Sequence, residues 1–339
     1  MSEMNPSHII QIGMGFCGSK ALLSAVELRL FTVLDDGLTG AQIASKLQLH
    51  ERAIPDFPDT LVALGILARD GNGPEAVYKN TPESALFLDA NSPAYIGGIL
   101  EMANARLYGY WAHLTEALRT GKPQNEIKDS GEPLFAKLYA DPERLEQFMK
   151  AMSGVSAGNY EALAQKFDFS QYETLCDVGG ATGQLCCMVA AEHENISCMS
   201  FDLPPVKPIA AKHIEAMGLS DRVEAVAGDF FADELPKADV ITMGMVLHDW
   251  NLEKKKMLIE KAYDALPEGG AFIVVEALID DERRANAFGL LMSLNMLIEF
   301  GDAFDYTAAD FNGWCRDVGF KRFEVIGLEG PSSAAVAYK

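Results

Sequence analysis

The residues best suited to chemistry lie at the end of an apolar run. ADVITMGMVLHDW (238–250) places an imidazole, a carboxylate and an indole, His248, Asp249 and Trp250, where a buried strand should stop. A neutral histidine, with a free pKa of about 6.5, is able to accept a proton from a hydroxyl. Upstream, CDVGGATG (176–183) sets Asp177 before Gly179, Gly180 and Gly183, which allow a tight turn and close approach of a ligand to the backbone. The spacing departs from GxGxxG. In SFDLP, Asp202, with Leu203 beside it, offers a carboxylate to the two hydroxyls of a ribose; in AGDFF, Asp229 and Phe230 could grip an adenine.

Each aspartate alone is more often a turn residue or a helix cap. At three successive strand ends they describe an adenosine pocket. No Walker lysine accompanies them, and acidic side chains would repel a pyrophosphate. A cationic adenosine ligand fits better, and S-adenosylmethionine (SAM), with its sulfonium, is the candidate cofactor.

These residues need a sheet to align them. TLCDVGG, ISCMSFDLP, RVEAVAGDF, ADVITMGMVLHDW and AFIVVEAL are short β-prone runs separated by helices or loops. That alternation predicts an α/β domain over 171–339 with a Rossmann-like, doubly wound parallel sheet, ligands lying at the carboxyl ends of its strands. Residues 93–170 read as a helical connector contributing to a substrate pocket. Its clear segments are LYGYWAHLTEALRTG and DPERLEQFMKAMSG, the second capped by Asp141 with Pro142 at the first helical position. Residues 1–92 read as a winged helix: one helix over 18–35, a second with Thr39 as N-cap, a third behind early prolines, and a hairpin around DGNG. Glu51, Asp56 and Asp59 against a lone Arg52 make a poor DNA reader, which favours a structural or dimer-forming role.

The 339 residues carry a net charge of -21, and the KKK run at 254–256 follows Glu253 and sits on an ordinary helix, so nucleic acid is not an expected ligand. The start has no basic leader, and no apolar stretch comes near the roughly 20 uninterrupted residues of a membrane span. Cys17, Cys176, Cys186, Cys187, Cys198 and Cys315 lack paired spacing and read as reduced, buried thiols of a soluble, cytoplasmic protein.

DVGGATG, FDLPPV, GDFF, VLHDW and DALPEGGAFIVVE, in that order, resemble the SAM-dependent O-methyltransferases with an N-terminal winged-helix dimerisation domain: the plant phenylpropanoid, hydroxyindole and bacterial secondary-metabolite enzymes. The resemblance spans nearly the whole chain. It implies a homodimer in which the glycines and Asp202 hold SAM, Asp229 and Phe230 flank its adenine, and Asp249 lies near it. It implies that His248 is the catalytic base, held by Glu276 and Asp305, and that Ser156 meets the SAM carboxylate. An acceptor at Nδ1–H would leave Nε2 free for the proton. Three positions depart from the pattern: Ala181 replaces a frequent glycine, Gly244 a lysine or other polar residue near the cofactor, and Asp305–Tyr306 a Glu–Arg pair.

For the acceptor, FGLLMSLNMLIEF (288–300) aligns Met292, Asn295, Met296 and Glu299 on one face, FMKAMSG supplies Phe148 and Met152, and Trp111 lies on the 101–113 segment with Met102 and Tyr108. A methionine stripe is as readily plain core, although methionines adapt to flat aromatic faces; the resemblance favours Met152 and Met296. No metal-ligand set is expected. The expected activity is methyl transfer from SAM to a hydroxyl of a small aromatic or similarly flat metabolite. The alternatives are a SAM-binding relative performing non-methylating chemistry (hydroxylation, decarboxylation or a pericyclic step) and a winged-helix small-molecule sensor.

Overall fold

The computed structural model describes residues 4–92, 94–128, 139 and 142–339, which fall into two compact units, Met1–Gly109 and Tyr110–Lys339. In the first unit, helices surround a three-stranded antiparallel sheet, β1 (Leu38–Thr39), β2 (Leu67–Asp70) and β3 (Val77–Asn80), ordered β1-β3-β2. The expected hairpin is β2–β3, and Thr39 starts the Gly40–Leu47 helix with a full capping box to Gln42. The helix expected over 18–35 is instead two, Gly15–Glu27 and Leu30–Val33, because Arg29 takes a left-handed φ of 57° that ends the first.

Near the N-terminus, Ser7–Glu27, 21 residues, is by length and composition apolar enough to cross a membrane, although His8, Gln11, Ser19, Lys20 and Ser24 interrupt it. Ile9, Ile10, Ile12, Met14 and Phe16 lie exposed along it. Cys17 is exposed too, while the other five cysteines are buried as expected.

The second unit is built on a seven-stranded sheet. Its strands are β4 (Thr174–Val178), β5 (Ser197–Asp202), β6 (Val223–Ala227), β7 (Val240–Gly244), β8 (Ala271–Glu276), β9 (Arg322–Gly327) and β10 (Ser333–Tyr338), ordered β6-β5-β4-β7-β8-β10-β9. β4 to β8 pair in parallel, and β10 runs antiparallel between β8 and β9. The strand order reverses between β4 and β7, so the crevice outside their carboxyl ends is the ligand site of such a sheet. Every residue of β8, AFIVVE, is buried, as a central strand covered on both faces requires. One apolar core lies on each face, the first including Leu163, Leu185 and Ile273, the second Ile241, Leu258 and Phe272.

The 107–121 stretch is not one helix but Tyr108–Trp111 and Leu114–Thr120. The helix expected near 142 extends over Pro142–Lys166 and packs on Gln184–Glu192, the helix that follows the glycine loop. Its expected cap, Asp141, lies outside the described residues.

Candidate active site

β7 ends at Gly244, and a short 3-10 turn, Leu247–Asp249, follows it. The turn puts the His248 ring under cover at 4% exposure, facing the last residue of β8. Nδ1 lies 3.3 Å from Asp305 Oδ1 and 3.6 Å from Glu276 Oε2; Nε2 lies 3.4 Å from Asp249 Oδ1. The backbone N–H of His248 donates to Glu276 Oε1 at 3.3 Å, so Glu276 braces both the turn and the ring. The shorter aspartate at 305 therefore reaches the imidazole where the family pattern has glutamate. Asp249, expected only near the cofactor, also borders the ring.

Burial alone would lower the His248 pKa, but Glu276, Asp249 and Asp305 outweigh it and take it up to about 10. Burial pushes Glu276 up to about 7, with His248 pulling the other way, and Asp249 up to about 6. One ligand-type atom from each of His248, Glu276 and Asp305 lies within 4.8 Å of the others, a spacing that could hold a metal ion where the sequence led to no such set being expected. With Nδ1 turned toward both carboxylates, their placement suits a hydrogen-bonded imidazole.

Gly179 and Gly183 have φ of 74° and 76°, and a β-carbon on Gly179 or Gly180 would stand 2.7 Å from Val246 or 2.4 Å from Ser200. Both contacts require glycine. Ala181, with φ of 49°, bears the strain of a left-handed residue, so its replacement of glycine has a structural cost. Its N–H donates to Asp202 Oδ2 at 2.9 Å, and the Leu203 N–H donates to Oδ1 at 2.7 Å. Asp177 is buried in β4 and accepts from the Thr242 hydroxyl at 2.7 Å. Asp229 caps its own turn, accepting from the Phe231 N–H at 2.8 Å; Phe230 packs edge-on to Phe231. Trp250 packs edge-on to Phe231 at 4.6 Å with Lys254 Nζ above it at 4.7 Å, which anchors the turn.

Two features of this crevice fit SAM. A carboxylate has roughly four acceptor sites, and the two backbone donors at Asp202 leave capacity for a ribose diol. Burial also raises Asp177 to about 7 and Asp202 to about 6, so the crevice gathers carboxylates that a cation would stabilise.

On the acceptor side, Asn295 and Met296 are buried and Met152 and Met292 half-buried; Asn295 Oδ1 accepts from the Trp111 indole N–H at 2.9 Å, which fixes the ring. Glu299, on the same helix face, is bonded by Asn125 at 2.9 Å.

Sequence reasoning missed three residues. Ser153 and Thr182 exchange a 2.7 Å hydroxyl bond that ties the Pro142–Lys166 helix to the glycine loop. Tyr160 puts its hydroxyl 2.6 Å from where a β-carbon on Gly244 would lie. A tyrosine thus fills the place of the polar side chain missing at 244.

An O-methyltransferase domain model matches residues 111–321, and an O-methyltransferase dimerisation domain model matches residues 10–90. The chain belongs to the SAM-dependent O-methyltransferase family. This methyltransferase is 39% identical to the tetracenomycin polyketide synthesis 8-O-methyl transferase TcmO of Streptomyces glaucescens, over 98% of this chain and 97% of the relative. It is 34% identical to the N,N-dimethyltransferase OxyT of Streptomyces rimosus, over 92% and 90%. Its fold matches the crystal structure of human N-acetylserotonin methyltransferase in complex with SAM at a TM-score of 0.90 and 28% identity, over 100% and 99% of the two chains. The methyltransferase uses SAM as its methyl donor.

Proposed function

We propose that this methyltransferase methylates a phenolic hydroxyl of a flat, polyketide-like aromatic molecule, with His248 as general base. Bound in the crevice, SAM supplies an electrophilic methyl group on a positive sulfur. The glycine loop and Asp202 hold its adenosine, with Leu203, Asp229 and Phe230 around the base, and the carboxylates of Asp177 and Asp249 favour its charge. Tyr160 and Ser156 line the same side. Met152, Met292 and Met296 offer a soft apolar wall to the acceptor, with Trp111 held against Asn295. As the acceptor oxygen bonds to the methyl carbon, the carbon–sulfur bond would break with its electron pair staying on the now neutral sulfur, and the hydroxyl proton would pass to Nε2 of a His248 that the bound sulfonium has left neutral. Asp305 and Glu276 hold the ring by Nδ1 and stabilise the imidazolium.

The observation that carries this reading is the buried ring with Nδ1 3.3 Å from Asp305 Oδ1. Similarity to TcmO supports the aromatic acceptor. Similarity to OxyT favours a second reading, an amine acceptor in the same pocket. Labelled SAM offered with panels of phenols and aryl amines tests both: label on phenols alone supports the first reading, label on amines alone the second, and no transfer with SAM bound refutes both.

A cytoplasmic homodimer completes the proposal. The dimerisation match and the exposed Ile9, Ile12 and Phe16 support a second copy covering the N-terminal helix. Light scattering at micromolar concentration tests it; a monomer, or partition into vesicles, counts against it.

A further inference from the structure

Lys255 is the middle residue of the KKK run, and unlike most lysines it is fully buried, at 0% exposure. Its position, on the Leu252–Ala265 helix, is set by three contacts. Nζ donates to the backbone carbonyl of Trp250, and it sits 3.9 Å above the centre of the Phe304 ring and 5.7 Å from that of Tyr306. Trp250 closes the turn that carries His248 and Asp249. Phe304 and Tyr306 flank Asp305.

We propose that Lys255 is a positioning residue of the methyl-transfer site: its ammonium clamps the His248–Asp249 turn to the Asp305 segment and places a positive charge beside their carboxylates.

Burying a lysine is costly unless its charge is met, and an apolar side chain would fill the space without that cost. Here the charge is met by the site itself. Burial lowers Lys255 to about 8 against the pull of Glu276, Asp305, Asp249 and Asp302. The groups facing the imidazole and ammonium are Asp249 from the turn, Glu276 from β8, Asp302, Asp305 and Tyr306 from the 302–306 segment, and Glu299 beside Asp249. Tyr306 replaces the arginine of the family pattern and donates to Glu276 Oε1 at 3.4 Å, so the nearby cation comes from the helix instead. With Lys255 gone, His248 alone opposes these carboxylates, holds its proton more tightly and becomes a poorer base.

The proposal rests on His248 as base, and the test separates the two. Lys255→Met and Lys255→Arg are compared with wild type by kcat against pH, by SAM affinity in calorimetry, and by NMR titration of the His248 ring. Lys255→Met should lower kcat at about pH 7.5 by roughly tenfold and move both the rising limb and the ring titration up by about half a pH unit or more, with SAM affinity within about threefold. Lys255→Arg should keep the limb near wild type. An unmoved limb and ring titration in Lys255→Met, or an equal shift in Lys255→Arg, overturns the proposal. If His248→Ala keeps full activity, the base assignment fails, and the ring titration still decides whether Lys255 acts on His248. Should Lys255→Met not fold, Phe304→Leu, which strips the ring from the ammonium, takes its place: a smaller upward shift supports the clamp, and none refutes it.

Discussion

The hydroxyl of Tyr160 stands 2.6 Å from the point where Gly244 would carry a β-carbon, so the two residues share one space at the end of β7. Tyr160 lies near Asp177, whose charge, after burial itself, raises the phenol's pKa. A side chain at 244 and this tyrosine exclude each other.

Gly244→Ala should therefore cost about 1–3 kcal/mol through overpacking. Pairing it with Tyr160→Phe, which removes the offending oxygen, should recover part of that cost. A double-mutant cycle from urea unfolding measures the coupling; additive effects would mean that the two do not compete.

The loop strain at Ala181 predicts a gain. With φ at 49°, Ala181→Gly should relieve roughly 1–2 kcal/mol of left-handed strain, offset in part by about 0.4–1 kcal/mol of added freedom in the unfolded chain. The melting temperature should hold or rise slightly; a drop of several degrees contradicts the strain.

The buried acids fix how stability responds to pH. Burial raises Asp177 and Glu276 to about 7 and Asp202 and Asp249 to about 6, so the folded chain holds more protons than the unfolded one from about pH 4 to 7. His248, taken up to about 10, extends the same sign above about pH 6.5. Stability of the SAM-free protein should thus fall from about pH 5 to 8, and Lys255, lowered to about 8, opposes the trend only above that. Melting temperatures across this range check it; a midpoint that rises contradicts it.

The same groups predict proton release on binding. The carboxylates hold His248 protonated in the free protein, and a sulfonium in the crevice opposes that charge. Calorimetry of SAM at about pH 8, in buffers of different ionisation enthalpy, should show protons released, with fewer for the neutral demethylated product. Equal apparent enthalpies in all buffers would count against it.

Much of this was legible from residue order. β4 to β8 announce themselves as apolar runs that end on Asp177, Asp202, Asp229, His248 and Glu276, because buried parallel strands leave little choice of side chain and ligands meet their ends. β9 and β10 were missed: β9 is largely exposed, so its pattern is weak. Tyr160 and Lys255 were missed for another reason. Each sits in a polar-looking helix, and only tertiary packing turns it inward. Arg29 and Ala181 carry left-handed backbone without the glycine that usually signals it.

The central claim is that His248 takes the acceptor's proton. Single-turnover transfer from labelled SAM to a phenolic acceptor, in wild type and His248→Ala, tests it most directly. Transfer should fall by about 10² to 10⁴-fold while calorimetric SAM affinity stays within a few-fold. Transfer by His248→Ala at close to the wild-type rate would contradict it.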